Sequence, residues 1–176
     1  MTYMRNAFCF TVKKRASNLA MMGAVFMSRF FSLLPNFSLV GSFGFFQVNP
    51  IYYFLQLVVF DFFFGGYYQG WFFTYLGFSA YWLFGRVAGS RISRQVLFLP
   101  VASLAFYLLS NFGVWWYWYP HTLFGLLTCY VLGVPFYRNT LLGDLFFGGV
   151  IITLKAINRL SNHNLEQADH VNSSLG

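Results

Sequence analysis

The chain has 176 residues, of which 58% are hydrophobic, 24% aromatic and only 9% charged. A soluble domain carries about 25% charged residues, and one of this size could not cover 25 Phe, 12 Tyr and 5 Trp with so little polar surface. The composition excludes an ordinary soluble globule and points to an integral membrane protein.

Eleven Lys and Arg against four Asp and Glu give a net charge of +7. The basic residues lie in the tails and between apolar runs, as the positive-inside rule expects, and no basic stripe interleaved with aromatics suggests nucleic acid.

Residues 1–17 form a basic tail with Arg5, Lys13, Lys14 and Arg15 and no acid. With no small-residue cleavage site after a short apolar run, it does not read as a cleaved secretory signal. A cytoplasmic anchor is the first reading and a mitochondrial targeting sequence the second. Leu19–Leu34 is the first expected helix, with Arg29 near its end, either snorkelling to headgroups or partnering an intramembrane acid. Pro35 opens a short Gly- and Ser-rich stretch, expected to be a tilted span or a half-helix. There Ser38 and Ser42 share a face beside Gly41 and Gly44, as a small-residue helix contact or a cavity lining.

Asn49-Pro50 breaks the chain, and Ile51–Phe64 follows with Asp61 near its end. Gly65–Gly70 predicts a turn, Trp71–Gly85 a helix, and Arg86, Arg91 and Arg94 a basic loop. Val96–Trp116 is long enough to span, and the Trp115–Pro120 run predicts an aromatic belt at a membrane surface. Thr122–Val134 and Thr140–Ala156 read as two further helices, separated by a turn at Pro135 and Arg138. The polar residues 161–176 read as a disordered tail.

Seven apolar segments result. If all cross from a cytoplasmic N-terminus, Lys155 and Arg159 fall outside, against the charge rule. One segment should therefore fail to cross, with 36–47 and the last Gly-rich helix as the suspects.

The chain carries no HExxH, CxxC, P-loop, GxSxG or paired-carboxylate motif. His163 and His170 lie in the tail and His121 stands alone, so paired intramembrane His ligation is excluded. Cys9 and Cys129 lack metal spacing and are not expected to pair. The chain reads as a non-enzyme, with no cofactor and no metal.

Only Asp61 and Asp144 are acids within apolar runs, where a charge usually faces the bundle interior and has a partner. Thr140, Asp144 and Gly148 recur at i, i+4 and i+8 and share one helix face, with Asn139 and Gly143 beside it. That face reads either as polar glue between helices or as a cavity wall shared with Asn111 and Asp61. Trp115, Trp116 and Trp118 are belt residues, or a stacking surface for a flat ligand.

Pro35-Asn36-Phe37-Ser38 with Gly41, Asp61 closing an apolar run, Ser110–Trp115, Cys129-Tyr130 and Pro135–Leu145 carry a resemblance over about residues 20–155. Together they resemble a family of uncharacterised bacterial membrane proteins, similar in turn to the S components of energy-coupling-factor vitamin transporters. Phe60 stands where that family usually has Ser, Ser38-Leu39 where it has Thr-Pro, and the Trp/Tyr run after Gly113 is heavier.

The resemblance implies a small helical protein that binds a micronutrient near the outer face and docks onto a coupling subunit and ATPases. ATP hydrolysis would belong to those partners. The expected architecture is an all-α polytopic integral membrane protein of six, or seven, transmembrane helices in an S-component-like bundle. Residues 18–160 form the membrane domain, in the bacterial inner membrane or, alternatively, an organellar one. The expected function is a substrate-binding subunit for uptake of a vitamin-like small molecule. Its lining is Asn36, Asp61, Asn111, Asn139 and Asp144, with Arg138 as a topology or docking charge. The alternative is a structural or accessory subunit of a larger membrane complex.

Overall fold

A computed structural model describes residues 20–29, 36–47, 49–65 and 67–174, with the backbone alone at 162–166 and 168–174. The basic tail, Cys9 and Pro35 lie outside the described residues, as do residues 30–34 of the first expected helix.

The described residues are helical throughout, with no strand. Helix α1 covers 20–29. It is followed by α2, Val40–Phe46, and α3, Pro50–Phe60, which runs into a π-helical turn at Asp61–Gly65. Helices α4, Trp71–Ala88, α5, Ile92–Trp118, and α6, Leu123–Ser174, complete the chain.

Local chemistry sets most of these boundaries. The Asn49 side chain accepts a hydrogen bond from the Ile51 amide at 2.9 Å, and Pro50 occupies the first helical position, where its missing N–H costs nothing. Gly70 (φ +91°) and Gly89 (φ +59°) bracket α4 with conformations that a side chain resists.

Helix α2 is the centre of the bundle. Its seven residues rise only about 10 Å at 1.5 Å per residue, too short to cross a bilayer alone. Val40 to Phe45 are all buried, and α2 packs against α3, α4, α5 and α6. Val25 of α1 joins Val40, Phe43, Tyr53 and Leu57 in one apolar cluster. Phe45, Tyr81, Ala88, Leu99 and Ala102 form a second.

Small residues let the backbones approach. A Cβ on Gly85 would lie 1.9 Å from the Phe45 carbonyl oxygen, and one on Gly44 would lie 2.3 Å from the Tyr53 ring. Helices α4, α5 and α6 run antiparallel in sequence order, their short connections leaving no other choice. Thus Phe73 meets Phe112 and Phe84 stacks on Phe98. In the next pair, Tyr107 stacks on Tyr137 at 4.7 Å.

The last two expected helices are one. Helix α6 runs through Pro135 and Arg138 without a turn. An internal proline costs about 3 kcal/mol, yet the flanking residues lock onto α5 on both sides. A Cβ on Gly133 would meet the Asn111 side chain at 2.5 Å, and Tyr137 is held by Tyr107. Arg138 therefore marks no loop.

The helix also continues through Ser174, where the polar composition reads as a disordered tail. Extending an existing helix avoids the cost of nucleation.

Two helices, Ile92–Trp118 and Leu123–Ser161, are long and apolar enough to cross a membrane. The ends of the bundle differ. Tyr68 stacks on Trp118 at one end, where His121 also stacks on Trp116. At the other, Arg86, Lys155 and Arg159 line one crevice. Arg86 and Arg159 thus share one end of the bundle.

Candidate functional site

Asp144 sits where α2, α4 and α6 meet and is 1% exposed. The Tyr81 hydroxyl donates to its Oδ2 at 2.5 Å, and the Ser42 hydroxyl donates to its backbone carbonyl at 3.1 Å. Gly41 makes room for the carboxylate, because a Cβ there would lie 2.2 Å from Oδ1. Gly148, one turn on, faces Leu99 and Ser42. The Thr140/Asp144/Gly148 stripe thus turns inward.

A cavity of about 90 Å³ opens beside the carboxylate, lined by Arg29, Asn36, Ser38, Tyr81, Thr140 and Asp144, with Phe78 and Phe106 as apolar walls. A second of about 50 Å³ adjoins it and shares Asn36, Phe106 and Thr140. Tyr107, Ser110, Asn111, Phe136 and Tyr137 complete its wall. Asn36 is exposed and stands at the mouth of both.

Asn36 adopts φ +64°, the left-handed region, where Asn is tolerated because its short amide bonds locally. Asn36→Gly should leave thermal unfolding in detergent micelles unchanged, while Asn36→Ala should cost about 1 kcal/mol. Equal melting of the two would place Asn36 in an ordinary conformation.

Five expected lining residues fall into three groups. Asn36 and Asp144 share the larger cavity, and Asn36 and Asn111 share the smaller. The Asn111 amide already donates to the Tyr107 carbonyl at 2.9 Å, so its remaining capacity is one N–H and its oxygen.

Asp61 lines neither cavity, because it is engaged elsewhere. It accepts from Arg29 Nη2 and from the Tyr75 hydroxyl, each at 2.8 Å. Arg29 is the link: its side chain is 19% exposed, pairs with Asp61, lies 3.8 Å from the Phe60 ring centroid and reaches the larger cavity. Arg29 is thus an acid's partner. Asp61 also starts the π-turn, a distortion that often accompanies functional residues. Asn139 is half-buried and lines neither cavity.

Sequence reasoning missed Tyr81. Tyr81 stands well inside an apolar run and is fully buried. That mid-helix position was the available signal, since a buried hydroxyl needs a partner.

Arranged this way, the two cavities offer a carboxylate, a guanidinium, six hydroxyls and two amides to a small polar molecule. Among the described residues, no three His, Cys, Asp or Glu side chains gather, and the thiol of Cys129 is free and buried.

The profile of a family of unknown function, DUF6580, matches residues 11–165. No curated protein and no solved structure matches the chain.

Proposed function

The chain belongs to the DUF6580 family of unknown function, and we propose that it is a multi-pass membrane protein that captures a small polar molecule beside Asp144. It acts as a substrate-binding subunit of the S-component kind, in the bacterial cytoplasmic membrane. The observation that carries this reading is the Asp144 carboxylate itself. It is 1% exposed, on an apolar helix, beside a cavity with polar walls. A polar group in that setting is costly unless it serves a purpose.

The membrane setting rests on outward-facing apolar surface. Only 22% and 17% of the most apolar windows of α5 and α6 are buried, the reverse of a soluble core helix. Phe124 is 80% exposed and Phe62 69%, far more than a soluble monomer tolerates in contiguous patches. From Arg94 to Trp115 the rise is about 32 Å at 1.5 Å per residue, which matches a hydrocarbon core of about 30 Å. With the basic end cytoplasmic, the cavities extend from mid-depth toward the opposite face. Their small volume favours a compact ligand that donates to Asp144 and accepts from Arg29.

Arg138 favours assembly with a further subunit. Its side chain is exposed, and it follows Tyr137, which stacks on Tyr107 near the middle of α5. A charge facing lipid at that depth costs about 3 kcal/mol on insertion scales. A partner helix with an acidic or carbonyl acceptor removes the cost. A coupling subunit suits a capture protein, and any other membrane partner suits the accessory-subunit reading.

Native mass spectrometry of the protein released gently from membranes, followed by heating, separates these readings. A co-purifying metabolite should weaken by about tenfold or more in Asp144→Asn and in Thr140→Val, the loss expected for hydrogen bonds to a charged group. Arg138→Leu should keep the metabolite and lose the partner. Lipid alone, with a stable partner that Asp144→Asn does not disturb, would overturn capture and leave the accessory role.

A further inference from the structure

A cavity of about 560 Å³ lies at the basic end of the bundle, and neither Asn36 nor Asp144 lines it. Arg86, Lys155 and Arg159 face it, with Phe45 and Phe46 as apolar walls, and no carboxylate is among its lining residues.

The cations come from two helices and are partly pre-positioned. Arg159 Nη2 donates to the Ser90 carbonyl at 2.6 Å, and the Lys155 ammonium lies 4.1 Å from the Phe46 ring centroid. Gln95 is 5% exposed and also lines the crevice. Its amide nitrogen donates to the Gly89 carbonyl at 2.6 Å, while its Oε1 has no partner among the described residues.

A crevice with three cations, no acid and a buried, open acceptor suits an anion that also carries a hydroxyl donor. We propose that it binds a hydroxyl-bearing phosphate ester. The phosphate oxygens accept from Arg86, Lys155 and Arg159, as charge-assisted hydrogen bonds favour, and the hydroxyl donates to Gln95 Oε1. Two sources supply that chemistry: the headgroup of an anionic phospholipid, or a soluble phosphate ester. The crevice lies one membrane thickness from the aromatic end, at headgroup depth, where basic pockets between helices recognise anionic lipids.

The test uses the full chain in detergent micelles, titrated by native mass spectrometry. The probes are phosphatidylglycerol, phosphatidylcholine and phosphatidic acid with the same acyl chains, and glycerol 3-phosphate. Phosphatidylglycerol should bind more tightly than phosphatidylcholine, and Arg86→Gln and Lys155→Gln should each weaken it about fivefold. Arg91→Gln and Arg94→Gln, outside the crevice lining, should not. Gln95→Leu should reduce the preference for phosphatidylglycerol over phosphatidic acid, whose headgroup has no hydroxyl.

Displacement of the lipid by glycerol 3-phosphate, or binding of glycerol 3-phosphate alone with the same variant sensitivity, would assign the site to a soluble ester. Retention of lipid against it would assign a headgroup. Equal affinity for phosphatidylglycerol and phosphatidylcholine without glycerol 3-phosphate binding, or wild-type binding by Arg86→Gln and Lys155→Gln, would overturn the proposal. Arg86 makes no hydrogen bond or ion pair among the described residues, so its variant should fold normally and keep the test decisive.

Discussion

Gly85→Ala should destabilise the protein by about 3 kcal/mol, the upper end of the range for overpacking a core. The added Cβ would stand 1.9 Å from the Phe45 carbonyl oxygen and 2.7 Å from its carbon. That neighbour is backbone and cannot rotate away. Helix α2 would have to retreat as a body, and it is held by α3, α5 and α6 as well as by α4. Gly149→Ala is the control. Nothing lies within 4 Å of a Cβ there, so removing a mid-helix glycine should stabilise by up to about 1 kcal/mol. Denaturation in micelles, followed by circular dichroism, reads both. If the two variants melt alike, the close approach of α2 and α4 is not formed in the membrane protein.

The second large effect is at Asp144. Asp144→Ala should lose about 3 kcal/mol, because two costs add. The Tyr81 hydroxyl, 1% exposed with its residue, loses its acceptor, worth about 1–3 kcal/mol when a buried group is left unpaired. The truncated side chain also empties volume beside Gly41, which adds a cavity cost. Asp144→Asn keeps an acceptor of the same shape and should stay within about 1 kcal/mol of the wild type. It therefore isolates the charge from the packing.

A double-mutant cycle with Tyr81→Phe should show coupling of about 1 kcal/mol between Tyr81 and Asp144. Equal stability of the Ala and Asn variants, with no coupling, would mean that the hydroxyl does not engage the carboxylate. Taken with the metabolite measurement, the Asn variant distinguishes a binding residue from a fastener: a fastener changes melting, a binding residue changes occupancy.

Much of the helical layout was readable, because its signals are local. Asn49-Pro50 is a helix start by capping chemistry, and the turn at Gln69-Gly70 falls within the stretch that composition marks. The i, i+4, i+8 stripe of Thr140, Asp144 and Gly148 had to share a face in any helix. Asn111 stands out as an amide in an apolar run and Asn36 through the resemblance, and each lies on a cavity wall. Asp61 and Asn139 were singled out by the same reasoning and line neither cavity. A polar residue in an apolar run announces that it needs a partner but not which one.

The sequence by itself determined that the chain is helical, that its surface is apolar, and which few polar side chains had to be accommodated. Composition and the 3.6-residue period settle those matters within a turn or two. Tertiary structure alone decided the rest. Arg29 finds Asp61 across 32 residues, and Ser42 finds Asp144 across 102. The stretch expected to be a tilted span or a half-helix became the buried hub because glycines on α2, α4 and α6 permit close approach. Pro135 lies within a helix because α5 grips residues on either side of it, a contribution from packing that offsets a local preference for a break. These outcomes depend on contacts between distant segments, and no local pattern encodes which segments will meet.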